Sequence, residues 1–578
     1  MRILLIGTIL GFKTRKMNMT GKGFFKKLAK GLAILLILVA ILSGIFLWIV
    51  SLSAPIVQGK ATYEALKRDS IPDGWKVGNN WIHKNEYGLY EMYVEGGAFE
   101  RGYVNGLLSQ ELVRRQEDYF VARLNALIPS YFYQFFLKQI VVWLNKDLDE
   151  NISEEYKQEI YGVSQFASPA YDYIAPPYQR LLNYHGAHDI GHAMQNMNLV
   201  ACSSFGAWGE YTADSMLLVA RNFDFYAGDD FAKEKIILFI KPDSGYKLMM
   251  ITWGGMTGVV SGMNEHGLTV TLNAAPSVMP SNSATPVSII SREILQYAKN
   301  IEEAFAIASK SKSFVSESFL IGSALDHKAV LIEKTPDTTI FFVSANNKIL
   351  STNHFQSPYF ENDPINIKHK NESATVGRYN RLEQLLDREK VLTPAVSVEV
   401  LRNRYGWNDV DMGLSNETTV NQLVAHHSIV FLPEKRLVWI STNPYQMGAY
   451  LCYDLNEIFN QQKSRLNHKT IYVSDKTGPS DSFLKTQTYT EYVYYKEILQ
   501  KLQRASFKVM LTLAEIERFE KSNPEYFDTH AYIAQYYMDK AEYNKALLYL
   551  KKAQTKNIPR KEDRDKIVKL IETCNTHL

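Results

Sequence analysis

Cysteine is scarce in this chain, so each cysteine has to be explained separately. Cys202, Cys452 and Cys574 are the only three among 578 residues. An odd, widely spaced set excludes a disulfide framework, and no two of them have the spacing of metal ligands. A glycine-rich loop of the phosphate-binding kind is also missing. The sequence therefore predicts neither a metal nor a cofactor.

Histidine spacing gives no stronger sign of a metal site. His185, His188 and His192 follow one another at intervals of three and four residues, but no carboxylate motif accompanies them. This pattern favours surface or packing histidines.

Acidic residues are absent before Glu64, whereas eight Lys and Arg residues fall within the first 30 residues. Without these eight, the 64 basic residues of the chain become 56, against 61 acidic ones. The body is mildly acidic, which argues against nucleic acid as a partner. Its hydrophobic share of 46% is typical of a globular protein with a large core.

Charge is also absent from residues 31–50, an apolar run long enough to cross a bilayer as one helix. Because lysines precede this run, the positive-inside rule predicts a basic cytoplasmic N-terminus over residues 1–30 and a transmembrane anchor or uncleaved signal over residues 31–52. The rest of the chain is then extracytoplasmic, in the periplasm or outside the cell. A cleaved signal peptide is the alternative, because small residues at 51–54 resemble a cleavage site.

The predicted secondary structure after the anchor changes at Cys202. Residues 53–201 form a predicted proregion, in which the apolar stretch 131–147 is interpreted as a core helix or, alternatively, as a helix apposed to a membrane. Over residues 202–480, short β-rich segments alternate with helical ones. This alternation indicates an α+β layered catalytic domain.

Residues 485–578 have a helical pattern that contains one tetratricopeptide-like unit. Alanines and tyrosines recur from Ala534 to Ala553, and Pro559 closes the pattern. A single repeat cannot bury its own faces, so this unit is expected to pack on neighbouring helices or on the body. It is also a candidate surface for a protein partner.

Cys202 follows Ala201 at the start of a predicted strand. A thiol with a pKa near ~8.5 needs a base before it can attack an amide. If the bond before Cys202 is cut, the new α-amine, with a pKa near ~8, is the nearest available base. Other polar residues would then have to hold this amine and stabilise an oxyanion.

Five segments carry a family resemblance: ACSSFGAW, LLVARNFDF, GMNEHGLTVTLN, STNHF and SATVGRYNRLEQLL. In this order they resemble the peptidase C45, acyl-CoA:6-aminopenicillanic acid acyltransferase-like family of N-terminal-nucleophile (Ntn) hydrolases, distantly related to choloylglycine hydrolase and acid ceramidase. The resemblance covers about residues 88–455. It implies a four-layer αββα sandwich and self-cleavage between Ala201 and Cys202, although a glycine often precedes the nucleophile in the acyltransferase branch.

The resemblance also implies roles for individual residues. Cys202 would be the nucleophile, with its own amine as the base. Arg221 and Asp224 match a motif that binds the region of this amine and the thiolate. Asn273 falls at the oxyanion-hole position, and Asn353 at that of a second structural and catalytic asparagine.

The distal arginine of the family falls at Arg378 or Arg381, and the surrounding residues favour Arg378. The implied enzyme cleaves a non-peptide amide bond of a small N-acyl or lipid-like substrate through a thioester acyl-enzyme. Hydrolysis is favoured over acyl transfer, since acyl-CoA is not supplied outside the cytoplasm.

Three other interpretations stay open. The apolar stretch 131–147 motivates a lipid esterase of the phospholipase B type. A papain-like protease would pair Cys202 with His354 or His426. Finally, a catalytically inactive, membrane-tethered protein would use the C-terminal helices to bind a partner.

Overall fold

The structure, a computed structural model, describes residues 21–578 except 129, 187–188, 190–199, 226–227, 277–282, 390, 461–469 and 505. The chain divides into two compact units, Met1–Ser51 and Leu52–Leu578. In the first unit, helix α1 covers Gly21–Ile49. Its segment Leu28–Ile49 is long and apolar enough to cross a membrane, a criterion that signal sequences also meet.

Two β-sheets form the framework of the second unit. The strands, in chain order, are β1 (Asp69–Ile71), β2 (Gly74–Val77), β3 (Asn80–Lys84), β4 (Tyr90–Gly96), β5 (Val200–Gly209), β6 (Ser215–Phe225), β7 (Ile236–Pro242), β8 (Leu248–Thr252), β9 (Ser261–Asn264), β10 (Leu268–Ala274), β11 (Glu317–Ser323), β12 (Lys328–Lys334), β13 (Thr339–Phe342), β14 (Lys348–Ser351), β15 (His427–Leu432), β16 (Leu437–Ser441) and β17 (Tyr450–Asp454).

Helices accompany these sheets along the whole unit. They are α2 (Lys60–Glu64), α3 (Ala98–Leu127), α4 (Tyr131–Leu144), α5 (Glu154–Ser164), α6 (Pro177–His185), α7 (Asp229–Lys233), α8 (Val287–Tyr297), α9 (Ile301–Lys310), α10 (Pro364–Glu372), α11 (Thr375–Arg388), α12 (Pro394–Leu401), α13 (Leu455–Asn460), α14 (Gln487–Arg504), α15 (Leu513–Ser522), α16 (Phe527–Met538), α17 (Tyr543–Gln554) and α18 (Lys561–Thr576). The chain is therefore a mixed α and β protein, as the sequence predicted.

The larger sheet has the order β1-β2-β3-β4-β7-β8-β9-β10-β11-β12-β13, and the smaller one β14-β5-β6-β15-β16-β17. Neighbouring strands are antiparallel except for β4 and β7, which are parallel. This one parallel pair joins strands that precede Cys202 to strands that follow it. The predicted proregion thus contributes strands to the larger sheet.

Apolar side chains pack in three main layers around these sheets. One cluster lies between the sheets and combines Val219 of β6 with Phe239 of β7. A second cluster joins the larger sheet to helices α3, α8 and α9, and Cys202 belongs to it. A third joins Ala220 of β6 to Leu382 of α11. Because side chains alternate along a strand, Val219 and Ala220 pack on opposite faces of the smaller sheet.

Helix α4 contradicts the expectation of a core helix over residues 131–147. None of its residues is buried, and its aromatic side chains are exposed. It is attached near its ends, where Ser130 caps the helix and the Asn145 Nδ2 donates to Asn183 Oδ1 at 2.8 Å. The core-helix interpretation was therefore wrong.

Buried ion pairs tie the predicted proregion to the part of the chain that follows Cys202. Glu159 of α5 accepts from Arg101 of α3 at 2.9 Å and from Arg292 of α8 at 3.2 Å. All three side chains are almost completely buried. Since α8 follows Cys202 and the other two helices precede it, this cluster would hold the two parts together after a cut.

The C-terminal helices α14–α18 pack into one apolar cluster. Leu423, Ala425 and Met447 of the body belong to the same cluster, so these helices do pack on the body. The ion pair between Lys496 and Asp229, at 2.7 Å, adds a second attachment. Cys574 is buried in the last helix.

Candidate active site

Cys202 lies in β5, opposite Phe223 of β6, and only 1% of its surface is exposed. Ala201 lies opposite Asp224 in the same register. Strand β5 continues through the bond between Ala201 and Cys202. The backbone nitrogen of Cys202 therefore stands for the α-amine that a cut would release.

Arg221 reaches from β6 toward the cysteine sulfur. Its Nη2 donates to Cys202 Sγ at 3.4 Å and to the carbonyl of Leu272, and its Nη1 donates to Ser261 Oγ at 2.6 Å. The partners on β9 and β10 belong to the larger sheet, so this arginine bridges both sheets. A planar guanidinium held at several points is fixed in orientation, which places its charge at the sulfur.

Burial keeps the thiol of Cys202 protonated while the chain is uncut. Burial raises its pKa to about 11, although the positive charge of Arg221 acts in the opposite direction. A base would have to remove the proton before attack. The base proposed from the sequence, the α-amine of Cys202, exists only after the chain is cut.

Asn353 and Arg378 hold the backbone of Cys202 from both ends. Asn353 Oδ1 accepts from Cys202 N at 3.0 Å and from Arg378 Nη2 at 2.8 Å. Arg378 Nη1 donates to the Cys202 carbonyl at 2.6 Å. By contrast, Arg381 bonds to Asn403 and Asp409. Of the two candidate distal arginines, Arg378 is the one that contacts the cysteine.

Asp224 is buried beside this backbone. Its Oδ2 accepts from Gln422 Nε2 at 3.1 Å, and its Oδ1 has no hydrogen-bond partner within the described residues. Burial raises its pKa to about 7, against the charges of Arg378 and Arg221. A buried carboxyl oxygen without a donor is suited to accept a hydrogen bond from a new ammonium group.

Asn273 is oriented differently from its expected role. Its Nδ2 donates to Ser204 Oγ at 2.9 Å and to the carbonyl of Ser351 at 2.8 Å. The amide hydrogens needed for an oxyanion hole are thus engaged two residues along β5 from Cys202. In this state Asn273 supports the strand that carries the nucleophile, and its oxyanion role stays a prediction.

The histidines considered for a papain-like pair bond to other groups. His354 Nδ1 lies 3.0 Å from Thr375 Oγ1, and burial lowers the pKa of this histidine to about 3. His426 Nδ1 lies 2.9 Å from His427 Nδ1. No hydrogen bond joins either His354 or His426 to Cys202 in the described part of the chain.

Three contributors to the site were missed by sequence reasoning. Ser261 holds Arg221 and is itself 2.9 Å from His427 Nε2. Gln422 holds Asp224. His427 is the third contributor, and the unusual pair of adjacent histidines, His426 and His427, was a sequence signal for its contact with Ser261. Gln422 carries no comparable signal, because it comes from a loop that meets β6 only in the folded chain.

No group of three or more potential metal ligands occurs among the residues that the structure describes. His185 is buried and bonds to the carbonyl of Leu181 at 2.8 Å and to Thr257 Oγ1 at 2.9 Å. It is therefore a packing histidine, as the spacing favoured. His188 and His192 lie outside the described residues.

Comparison with known proteins gives several likenesses. An uncharacterized protein from Archaeoglobus fulgidus (strain ATCC 49558 / DSM 4304 / JCM 9628 / NBRC 100126 / VC-16) is 25% identical over 256 residues, which are 41% of this chain and 41% of that protein. The match thus spans about two fifths of the relative's length.

Two solved structures are also similar. A Caenorhabditis elegans N-acylethanolamine-hydrolyzing acid amidase (NAAA) ortholog is 16% identical, with a TM-score of 0.30, over 40% of this chain and 93% of that chain. A mutant of the conjugated bile acid hydrolase from Clostridium perfringens is 14% identical, with a TM-score of 0.32, over 44% of this chain and 93% of that chain.

The family comparison concerns the middle of the chain. Its match begins after Cys202 and includes Arg221, Asp224, Asn273, Asn353 and Arg378. The resemblance predicted from the five sequence segments is thereby confirmed: residues 211–445 match the family model "Acyl-coenzyme A:6-aminopenicillanic acid acyl-transferase".

Proposed function

We propose that this chain is a self-processing cysteine hydrolase that cleaves the amide bond of N-acyl substrates. One observation carries the proposal: the nitrogen, carbonyl and sulfur of Cys202 are each bonded to a different one of three buried side chains, Asn353, Arg378 and Arg221. A structural cysteine needs no such set of polar partners, because a free buried cysteine usually behaves as a small hydrophobe.

Processing would begin with attack of Cys202 Sγ on the carbonyl carbon of Ala201. The bond from this carbon to the Cys202 nitrogen breaks, and the thiol proton passes to that nitrogen. Water then hydrolyses the resulting thioester, which leaves a carboxylate on Ala201 and returns a thiol on Cys202. Arg378 and Asn353 would hold the residue in place during both steps, since they bond to the backbone on either side of its Cα atom.

Turnover would use the amine that processing frees. This amine accepts the thiol proton, and the thiolate attacks the carbonyl carbon of the substrate amide. The amine part of the substrate leaves with a proton, and the acyl group stays on Sγ as a thioester. Water completes hydrolysis, or a second amine completes acyl transfer. Arg221 would stabilise the thiolate through its contact with Sγ.

N-terminal sequencing of the purified protein tests the proposal. We expect a fragment that begins Cys-Ser-Ser-Phe, and a Cys202→Ala chain that stays whole. An intact wild-type chain that still hydrolyses N-acyl amino acids would overturn the self-processing mechanism. Full activity on N-acyl amides in the Cys202→Ala chain would overturn the assignment of the nucleophile.

The fold supports this proposal through its layers. We propose that the two packed sheets, with helices outside each of them, form the αββα sandwich of Ntn hydrolases. The hairpin of α16 and α17 would be one tetratricopeptide-like unit, whose outer face is offered to a protein partner. Pull-down with the full chain and with a chain carrying Leu548→Ser, a change at an exposed side chain of α17, would test that partner surface.

Helix α4 favours a second candidate, hydrolysis of a lipid amide or ester. Its first two residues, Tyr131 and Phe132, are 85% and 82% exposed, which is unusual for aromatic side chains of a soluble surface. A candidate membrane span at the N-terminus would hold the catalytic part near a bilayer, on its extracytoplasmic side. Comparing an N-acyl amino acid with a lysophospholipid as substrate separates the two functions. Activity on the ester alone would replace the amidase assignment.

A further inference from the structure

A narrow apolar cavity lies next to the candidate active site. Phe225 of β6, Phe231 of α7 and Trp253 after β8 form one wall of it, and helices α3 and α6 of the proregion close the other. The cavity is thus assembled from residues on both sides of the predicted cut. The mechanism described above makes no use of it.

A row of aromatic rings connects this cavity to the nucleophile. Phe223 lies opposite Cys202 in the strand register. Its ring is stacked on that of Phe225, with centroids 5.7 Å apart, and Phe225 is stacked on Trp253 at 6.2 Å. Cys202, Phe223 and Phe225 belong to one apolar cluster. An acyl group bound to Sγ would therefore find apolar surface that leads to the cavity.

Gln116 of α3 is the unexpected member of the lining. Only 5% of its surface is exposed, and neither Nε2 nor Oε1 has a hydrogen-bond partner among the described residues. The adjacent Glu117 differs, because its oxygens accept from Ser168 N at 2.5 Å and from Arg180 Nε at 2.7 Å. Buried amides are normally paired, so Gln116 marks a place where a ligand supplies the partner.

We propose that the cavity binds the acyl part of the substrate and that Gln116 bonds to a polar substituent on it. This inference rests on the proposed function. The substrate class is then an amide whose acyl group is mostly apolar and carries a hydroxyl or keto group away from the scissile carbonyl. An amide side chain suits this task, because it both donates and accepts.

Binding to the uncut Cys202→Ala chain tests the cavity without any need for turnover. The probes are dodecanoic acid and ω-hydroxydodecanoic acid, measured by calorimetry. We expect the hydroxy acid to bind about tenfold more tightly, which is the ordinary value of one buried hydrogen bond. Adding Gln116→Leu should remove this preference and leave dodecanoic acid bound. Gln110→Leu, on the same helix but outside the lining, is the matched control and should keep it.

Thermal unfolding gives a readout that needs no ligand. Gln116→Leu should raise the unfolding temperature of the Cys202→Ala chain, because it replaces an unpaired buried amide with an apolar side chain of similar size. If Gln116→Leu does not fold, Gln116→Met serves the same purpose. An unchanged or lower unfolding temperature for a folded variant would show that the amide is paired and would overturn its role.

The remaining outcomes separate this inference from the proposed function. The acyl cavity is overturned if neither acid binds, or if the Gln116→Leu chain prefers the hydroxy acid as strongly as its parent does. Either result counts even when the processed enzyme hydrolyses N-acyl amides. Suppose instead that the Cys202→Ala chain prefers the hydroxy acid, that Gln116→Leu removes this preference, and that the wild type hydrolyses no amide. This result supports the cavity and overturns the proposed reaction.

Discussion

Two groups of buried arginines in this molecule are built in different ways. Arg101 and Arg292 share the carboxylate of Glu159, and Arg101 also pairs with Glu155, so that two carboxylates face two arginines. Arg221 and Arg378 bond instead to carbonyl, hydroxyl, amide and thiol groups around the candidate active site. The first group is neutralised internally, whereas the second keeps positive charge directed at one residue.

The carboxyl groups beside these arginines show the same contrast. Burial raises the pKa of Glu159, but the charges of Arg292 and Arg101 outweigh burial and hold this pKa below its usual range. Burial also acts on Asp224, and there the two arginines do not offset it. In a structural ion cluster the buried carboxylates have charge partners. In a site that binds a substrate or is processed, some buried polar groups have no partner beforehand. This difference is what we expect if one region holds the chain together and the other carries the proposed reaction.

Replacing Cys202 with alanine is the strongest test of this division. We expect complete loss of both processing and N-acyl amide hydrolysis, because the proposed mechanism has no other nucleophile. Mass spectrometry of the purified chain and a hydrolysis assay measure the two effects. Cys452→Ala is the matched control, since Cys452 is also buried but lies on β17. Cleavage of the Cys202→Ala chain at the same bond would refute the assignment.

The ion cluster of Glu159, Arg101 and Arg292 can be broken separately by Glu159→Gln. This change leaves the buried Arg292 without a charge partner and Arg101 with Glu155 alone, which should lower the free energy of unfolding by about 3–5 kcal/mol. Urea unfolding of the uncut Cys202→Ala chain measures it. Glu154→Gln removes an exposed ion pair to Lys157 on the same helix and should cost less than about 1 kcal/mol. Equal, small losses for both would mean that the buried cluster is not what holds the proregion.

The polar groups around Cys202, here called the reactive cluster, are Arg221, Asn353 and Arg378. Arg378→Lys tests this cluster. A lysine cannot bond to the Cys202 carbonyl and to Asn353 Oδ1 with two fixed nitrogens, so we expect processing to slow by roughly 10²-fold. The time course of fragment appearance after refolding measures this rate. Arg381→Lys, one helical turn away, should process at nearly the wild-type rate. A reversed order of the two variants would move the distal role to Arg381.

Sequence reasoning located the reactive cluster better than its surroundings. Cys202, Arg221, Asn353 and Arg378 were all named in advance, and the fold brings them into direct contact. The choice between Arg378 and Arg381 was not decided by spacing, because residues three apart occupy the same side of a helix. It depends on how α11 is placed against β5, which is set by long-range packing.

Other features were beyond a single sequence for the same physical reason. The contact between Ser261 and Arg221 exists because two sheets pack face to face, and no local pattern encodes that register. Helix α4 is mostly apolar, with Gln134, Lys138 and Gln139 as its polar side chains, and such a composition is also typical of a helix buried in a core. Its exposure depends on where the folded chain places the helix, which its own residues do not encode.

The smallest expected effect concerns the pH dependence that Asp224 gives to the uncut chain. Burial raises the pKa of Asp224 to about 7 from 3.8, so the folded chain keeps this proton over a range in which the unfolded chain has lost it. The resulting stabilisation is complete below pH 3.8 and is lost as pH rises through about 7, with a slope of at most about 1.4 kcal/mol per pH unit.

Urea unfolding of the Cys202→Ala chain at several pH values, with and without Asp224→Asn, measures this slope. The asparagine cannot titrate, so its chain should lose less stability between pH ~5 and ~7. Asp409→Asn is an informative control, because bonding to Arg381 lowers the pKa of Asp409 and gives a pH dependence of opposite sign. Parallel curves for the chains with and without Asp224→Asn would mean that this carboxyl is ionised at neutral pH. The site around Cys202 would then be charge-paired like the cluster around Glu159, and the contrast between the two regions would disappear.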